Sequence, residues 1–110
     1  MSCDVTEQDG TLVVDLSGSV DLEHADGVRT ALLGCIEKKR DIRVSLAGVD
    51  YIDSSGIATL VEAFQLAKEN GMAFVLAAVS AQALRVLKLA RLDTVFTILD
   101  PDAAPQAAGT

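Results

Sequence analysis

The residues best suited to chemistry lie in the stretch from Tyr51 to Phe64, which reads YIDSSGIATLVEAF. An apolar run ends there in the acid Asp53 and the hydroxyls of Ser54 and Ser55, and a helical pattern resumes after Gly56. A helix cap is one explanation, because an Asp or Ser at the N-cap accepts a hydrogen bond from a helix amide and contributes about 1 kcal/mol. A cap requires only one such side chain, whereas three stand here in a row.

Phosphorylation is the second explanation for this turn. The N-terminus of a helix presents unpaired amides and a partial positive charge, so it accommodates a phosphate dianion at low cost. Gly56 would cost about 1 kcal/mol relative to alanine in the first helical turn, unless something approaches its backbone closely. Ala58 and Thr59 are small and are expected on the exposed side with Glu62, where another protein could lie flat against the turn. The stretch therefore predicts a serine that a partner protein can reach and phosphorylate.

Catalysis by the chain itself is not predicted. His24 is the single histidine, and its place after Glu23 near the start of the first helix is typical of a surface residue. The sequence contains no G-x-S-x-G elbow, no Ser-x-x-Lys pair and no phosphate loop ending in G-K-[ST]. The aspartate beside Ser54 does not make the serine hydroxyl a nucleophile, because no general base is present to take the hydroxyl proton. Cys3 and Cys35 lack the spacing of a redox or zinc motif, so neither a metal ion nor another cofactor is expected.

Length and charge narrow the possible partners. The 110 residues suit one domain, 50% of them are hydrophobic, and the formal net charge is −7. Such a charge repels phosphate backbones and anionic lipid headgroups, so binding to nucleic acid or to a membrane surface is not expected. No stretch resembles a signal peptide or reaches the roughly 20 apolar residues of a membrane span. We expect a cytoplasmic protein that does not insert into a membrane.

The elements around the turn predict an α/β fold. Two β-prone runs, residues 3–5 and 11–16, flank Asp9-Gly10, which is a strong signal for a hairpin. Helical stripes then alternate with strand-like runs over residues 42–46, 72–79 and 94–99. The stripes consist of Ala25, Val28, Leu32 and Ile36, then Ile57, Leu60, Val61, Phe64 and Ala67, then Leu84 and Leu87. Asn70-Gly71 is expected to end the second helix, and Ser80 to cap the third.

This order of elements predicts one domain over residues 1–100. It contains a mixed sheet of about five strands, made of the N-terminal hairpin plus a parallel βαβαβ unit, with helices packed on the sheet. Residues 101–110 are predicted to be a disordered tail, because they are rich in alanine, proline and small polar groups and have nothing large to bury.

Three segments carry a family resemblance: GSVDLEHA, VDYIDSSGIATLVEAFQLAKENG and VSAQALRVLKLARLDTVFTI. Their most specific parts are the Asp-Ser-Ser-Gly turn and the Gly-x-x-Asp motif from Gly18 to Asp21. On these residues the chain resembles the STAS domain of bacterial anti-sigma factor antagonists, nearly throughout its length up to Leu99. The resemblance implies a protein-interaction domain that, when unphosphorylated, binds an anti-sigma factor and thereby frees the sigma factor for transcription.

The resemblance also implies roles for the residues of the turn. In that family the serine directly after the aspartate is phosphorylated by a partner that is both serine kinase and anti-sigma factor, which implies Ser54 as the acceptor. A metal-dependent phosphatase of the PP2C type reverses the reaction. Asp21 matches an acidic position close to that serine, and Asp53 matches the acid that opens the turn. The expected partner-contact and switch residues are Asp21, Asp53, Ser55, Gly56, Ala58, Thr59 and Glu62.

The chain also departs from the family pattern. Many members have glycine where this chain has Ala90-Arg91, and many carry a final amphipathic helix where this chain continues from Pro101. A second branch of similar domains serves as a small cytoplasmic subunit of lipid-transporting ATP-binding cassette (ABC) complexes. Its turn can look much like this one, so regulation of such a transporter is the alternative function.

Overall fold

The computed structural model describes residues 1–99, and within them the chain forms five strands and three helices. Their order is β1 (Ser2–Gln8), β2 (Thr11–Val20), α1 (Leu22–Glu37), β3 (Ile42–Ile52), α2 (Ser54–Glu69), β4 (Phe74–Ala77), α3 (Ala81–Leu89) and β5 (Thr97–Leu99). No helix in this part of the chain is long and apolar enough to cross a bilayer. The predicted tail, residues 101–110, lies outside the described residues.

The five strands form a single sheet in the order β1-β2-β3-β4-β5. β1 and β2 are antiparallel and are joined at Asp9 and Gly10, which both have positive φ, as a tight hairpin turn requires. β2 to β5 are parallel to one another. Each strand is added beyond the preceding one in the same direction, so right-handed crossovers place all three helices over one face of the sheet. The predicted hairpin plus parallel βαβαβ unit is confirmed.

The core lies between this face and the helices. Alternate residues of the central strands point into it, because successive side chains of a strand face opposite sides of the sheet. Its main members are Leu12, Val14, Leu16, Ile42, Val44, Leu46, Phe74 and Leu76 from the strands and Val28, Leu32, Leu60, Ala67, Ala83 and Leu87 from the helices. Three phenylalanine rings, Phe64, Phe74 and Phe96, add an aromatic cluster with centroids 5.2 to 6.3 Å apart.

The limits of several elements differ from the predicted ones. β3 continues beyond Leu46 to Ile52, because its second half pairs with the end of β2, past the last residue of β4. β4 spans only Phe74–Ala77. β5 begins at Thr97, because the amides of Val95 and Phe96 donate to the Leu92 carbonyl in a turn. Three residues predicted to face inward, Val61, Phe64 and Leu84, are half-buried.

Candidate functional site

Asp53 starts α2 and also ties it to the neighbouring loop. It is the N-cap of the helix, and one of its carboxylate oxygens accepts hydrogen bonds from the amides of Ser55 at 2.9 Å and Gly56 at 3.1 Å. The other oxygen accepts from the amide of Leu22, the first residue of α1, at 3.2 Å. The amide of Asp53 donates to the Val20 carbonyl at 3.3 Å. These bonds hold the ends of β2 and β3 and the starts of α1 and α2 together.

Gly56 lies where α2 packs closely on β2. A Cβ atom at this position would meet the carbonyl oxygen of Val20 at 2.3 Å and the side chain of Ile52 at 2.8 Å. Only glycine leaves room for this contact. The close approach that the sequence predicts at Gly56 therefore comes from the same chain. Gly56 is buried, so its part in the site is to let α2 lie against β2.

Ser54 is exposed and is the first residue of α2, whereas Ser55 is half-buried. Because Asp53 already caps the helix, the Ser54 hydroxyl is not needed as an acceptor for the helix amides. The partial positive charge of the helix N-terminus acts on this position. Ser54 is thus the serine of the turn that another protein reaches more easily.

Asp21 caps α1 at the same edge of the sheet. Its carboxylate accepts from the backbone amide of His24 at 3.2 Å and lies 2.7 Å from the Nδ1 atom of the same histidine. Desolvation raises the pKa of the Asp21 carboxyl, but the hydrogen bond and the charge of His24 outweigh this effect, and the pKa lies below its ordinary value. The predicted proximity of Asp21 to the turn is supported, because its neighbour Leu22 is bonded to Asp53.

One of the residues predicted on the exposed side of α2 is buried instead. Ala58 is exposed, but Thr59 is only 7% exposed, and its hydroxyl donates to the Ser55 carbonyl at 3.0 Å. The expectation that Thr59 lies on the exposed side of the helix is wrong, because the helix turns this residue towards the interior. Glu62 is half-exposed and is paired with Arg29 of α1, at 2.6 Å and 3.2 Å between their side-chain atoms. Glu62 therefore joins the two helices at the surface.

Two apolar residues near the turn were not identified from the sequence. Leu22 is 76% exposed at the start of α1, and Tyr51 is 52% exposed at the end of β3. Leu22 lies outside the buried stripe of α1, which begins at Ala25. A leucine directly after a capping aspartate, off the stripe of its own helix, is the sequence signal that would have found it. Exposed apolar side chains beside an accessible serine are suited to contact another protein.

The geometry supports a modification and contact site. The accessible hydroxyl of Ser54 follows the carboxylate of Asp53, which is bonded to the exposed Leu22 next to Asp21, and the exposed Tyr51 precedes Asp53 by two residues. His24, the single histidine of the sequence, has its Nδ1 atom bonded to Asp21. The Ser54 hydroxyl is therefore placed so that a separate kinase could transfer a phosphoryl group to it, and the charge of the surrounding surface would then depend on that group.

Comparisons with known proteins point in the same direction. The sequence model described as "STAS domain" matches residues 2–103. The chain is 26% identical over 98 residues to the anti-sigma-B factor antagonist of Bacillus subtilis (strain 168), covering 89% of this chain and 90% of that protein. It is also similar to the structure of an anti-sigma factor antagonist from Mycobacterium paratuberculosis, with a TM-score of 0.84 and 26% identity over 99% of this chain and 94% of that one.

The Bacillus protein SpoIIAA shares the fold at lower sequence identity. Its unphosphorylated form gives a TM-score of 0.78 at 16% identity, covering 99% of this chain and 98% of that one. Its phosphorylated form gives 0.73 at 15% identity, covering 97% and 99%. Since the family match extends over nearly the whole sequence and the fold agrees, the chain belongs to the STAS domain family.

Proposed function

We propose that this protein is an anti-sigma factor antagonist whose binding is switched by phosphorylation of Ser54. The proposal rests on one observation: Asp53 caps α2, so the neighbouring Ser54, which is exposed at the first position of the helix, is not needed as a cap. Its hydroxyl can be modified without removing a hydrogen bond that the helix needs. The protein itself is not an enzyme in this proposal, and it acts in the cytoplasm.

The relatives support the regulatory part of the proposal. The Bacillus subtilis relative is named for antagonism of an anti-sigma factor, and SpoIIAA has been solved in an unphosphorylated and a phosphorylated form. By analogy, the unphosphorylated chain binds a serine-kinase anti-sigma factor, which then releases its sigma factor. The kinase transfers the γ-phosphoryl group of ATP to the Ser54 oxygen, and a PP2C-type phosphatase removes it.

Electrostatics explains how the modification would end the complex. A phosphoserine carries about −1.5 to −2 charges at neutral pH. Here it would stand beside Asp53 and near Asp21, on a surface that already carries carboxylates. Leu22 and Tyr51 provide apolar area that a partner would cover, and covering it would remove water from around the new charge. A charge without a partner in such a contact costs several kcal/mol, so the phosphorylated form is released.

The experiment is to incubate the protein with its cognate kinase and ATP and to locate the phosphate by mass spectrometry. We expect one phosphate, on Ser54, and none on the Ser54→Ala variant. That variant should fold normally, because Asp53 supplies the cap, and should remain in the binding state. Ser55→Ala is the matched control, since it removes the half-buried hydroxyl next in the chain. Phosphate on Ser55 in the wild type would refute the assignment.

A pull-down from the source cell tests the partner. With the kinase inactive, the wild type should recover a small ATP-binding kinase, and Ser54→Asp should bind it at least about thirtyfold more weakly, as expected for a loss of about 2 kcal/mol. A subunit of a lipid-transporting ABC complex would instead recover a membrane complex with an ATPase, whose ATP hydrolysis falls when the domain is removed. That result would replace the proposed function with the alternative.

A further inference from the structure

The face of the sheet opposite the helices is uncovered within residues 1–99. Its two central rows follow from the strand register: Thr6, Val13, Arg43, Val75 and Thr97 in the first, and Asp4, Asp15, Ser45, Ala77 and Leu99 in the second. We call these ten residues the open face. None of them belongs to the hydrophobic core cluster, whose strand residues occupy the alternate positions, although Ala77 is itself buried, with 5% of its surface exposed. The open face is therefore a partly apolar sheet surface without a helix over it.

Arg43 stands in the middle of the open face, and its guanidinium has no ion-pair partner among residues 1–99. It lies on β3, the central strand, and is half-buried. Its Nε atom is buried, yet it makes no hydrogen bond to any group of the described chain. The ion pairs among residues 1–99 are His24–Asp21, Arg29–Glu62 and Arg40–Glu7, so the guanidinium has no carboxylate partner either. A buried hydrogen-bond donor without an acceptor destabilises the fold. The buried Nε–H of Arg43 therefore indicates that a group outside residues 1–99 supplies the acceptor.

Two carboxylates on the same face have no positively charged partner within residues 1–99. Asp4 of β1 and Asp15 of β2 are directly opposite each other in the antiparallel register, and both are exposed. Like charges in such a cross-strand pair destabilise the sheet. Neither takes part in an ion pair within residues 1–99. Asp15 is also the diagonal neighbour of Arg43, because Val13 pairs with Arg43 and Asp15 with Ser45.

We propose that the open face binds the open face of a second copy of this chain. A two-fold axis that lies between the two sheets, halfway between Arg43 and Asp15, brings Arg43 of each copy over Asp15 and Asp4 of the other. One operation thus creates two equal ionic contacts and gives each unpaired group a partner of opposite charge. Val13, Val75 and Leu99, which are half-buried, provide apolar area around these contacts, as in other pairs of sheets packed face to face.

The size of the open face limits the area that a dimer can bury. Five strands spaced about 4.8 Å apart make a face about 20 Å wide, so the buried area is small for a specific interface. We expect monomer and dimer to exchange, with a dissociation constant of about 1 to 100 μM. The contact lies on the side of the sheet away from the helices, whereas Ser54 begins α2 at the carboxyl end of β3. The inference is therefore independent of the proposed function, and each copy keeps its Ser54 turn free.

Sedimentation equilibrium of the full chain tests this proposal over a concentration range from about 1 μM to about 1 mM. The average mass should rise from that of one chain towards that of two. Arg43→Glu should keep the mass at one chain throughout, because it places a glutamate over the aspartates of the other copy. Arg85→Glu is the matched control: it makes the same charge change on the exposed side of α3 and should dimerise like the wild type.

A charge exchange between two variants makes the result specific to this geometry. Asp15→Arg alone should also be monomeric, because it faces Arg43 of the other copy. When Arg43→Glu and Asp15→Arg chains are mixed, both ionic contacts again join opposite charges, and the mixture should dimerise although neither variant does alone. Circular dichroism confirms beforehand that each variant is folded. A wild type that stays monomeric at 1 mM, or a mixture that stays monomeric, overturns the proposal.

Discussion

At the scale of single residues, Asp53 is the group on which the geometry of the site depends most. One carboxylate accepts hydrogen bonds from the amides of Ser55 and Gly56 in its own helix and of Leu22 at the start of α1. The first two bonds are those of an ordinary N-cap, and the third joins two elements that are distant in sequence. The position of Ser54 is therefore fixed by the aspartate before it rather than by its own hydroxyl.

We predict that Asp53→Ala lowers the free energy of unfolding by about 1 to 2 kcal/mol, because three backbone amides lose their acceptor. Asp53→Asn should cost less, since its side-chain oxygen can still accept from the helix amides while its NH₂ group faces Leu22. Asp50→Ala, at an exposed position three residues earlier, is the control and should have little effect. Urea denaturation of the three variants measures these differences. An equal loss for Asp53→Ala and Asp50→Ala would contradict the capping role.

At the scale of elements, the contact between α2 and β2 requires a residue without a side chain. The carbonyl of Val20 would lie 2.3 Å from a Cβ atom at Gly56, which is closer than atoms can approach without movement. Since Val20 also accepts the hydrogen bond from the amide of Asp53, any displacement of α2 disturbs the serine turn as well.

Gly56→Ala should therefore destabilise the protein by about 2 kcal/mol or more, as overpacking at a rigid contact does. Gly27→Ala is the matched control, because Gly27 lies in the exposed part of α1 and a Cβ atom there meets nothing within 4 Å. That variant should gain about 0.5 to 1 kcal/mol from the better helix propensity of alanine. Thermal unfolding of both variants shows the opposite signs, and a neutral or stabilising Gly56→Ala would disprove the close packing.

Turn and cap residues predict where several elements begin and end. The features that the sequence does not predict depend on contacts between residues far apart in the chain. The hairpin at Asp9-Gly10, the end of α2 at Asn70-Gly71 and the cap of α3 at Ser80 depend on a few neighbouring residues, and each is present in the structure. The length of β3 depends on how far β2 continues beside it, which no property of β3 alone reveals. The burial of Thr59 depends likewise on the rotation of α2 against the sheet.

At the scale of the whole molecule, the site depends on contacts that join separate elements. The sequence alone does not predict these contacts. The sequence predicts Asp53 and Ser54 as one site because they are neighbours in the chain. The bond from Leu22 to Asp53 and the pair between Arg29 and Glu62 connect groups 31 and 33 residues apart. The open face follows only from the register of the sheet. Only the folded chain shows which charges meet and which stay unpaired.

The pair between Arg29 and Glu62 makes one such long-range contribution sensitive to pH. The pKa of the Glu62 carboxyl lies below its ordinary value of 4.5, chiefly because Arg29 donates hydrogen bonds to it, with desolvation opposing the shift and charge attraction adding to it. A carboxyl whose pKa is lower in the folded state stabilises the fold above its unfolded pKa, and this contribution disappears as the pH falls through the folded value.

Glu62→Gln should therefore be less stable than the wild type at pH 7, and the difference between the two should vanish once the pH falls below the pKa of Glu62 in the folded protein. Glu69→Gln, a change at an exposed position of the same helix, should match the wild type at both pH values. Urea denaturation at a series of pH values measures the three free energies. Because the pair is half-exposed, added salt should reduce the difference at pH 7 as well. A difference that persists unchanged at low pH would mean that Glu62 stabilises α2 by packing rather than by its charge.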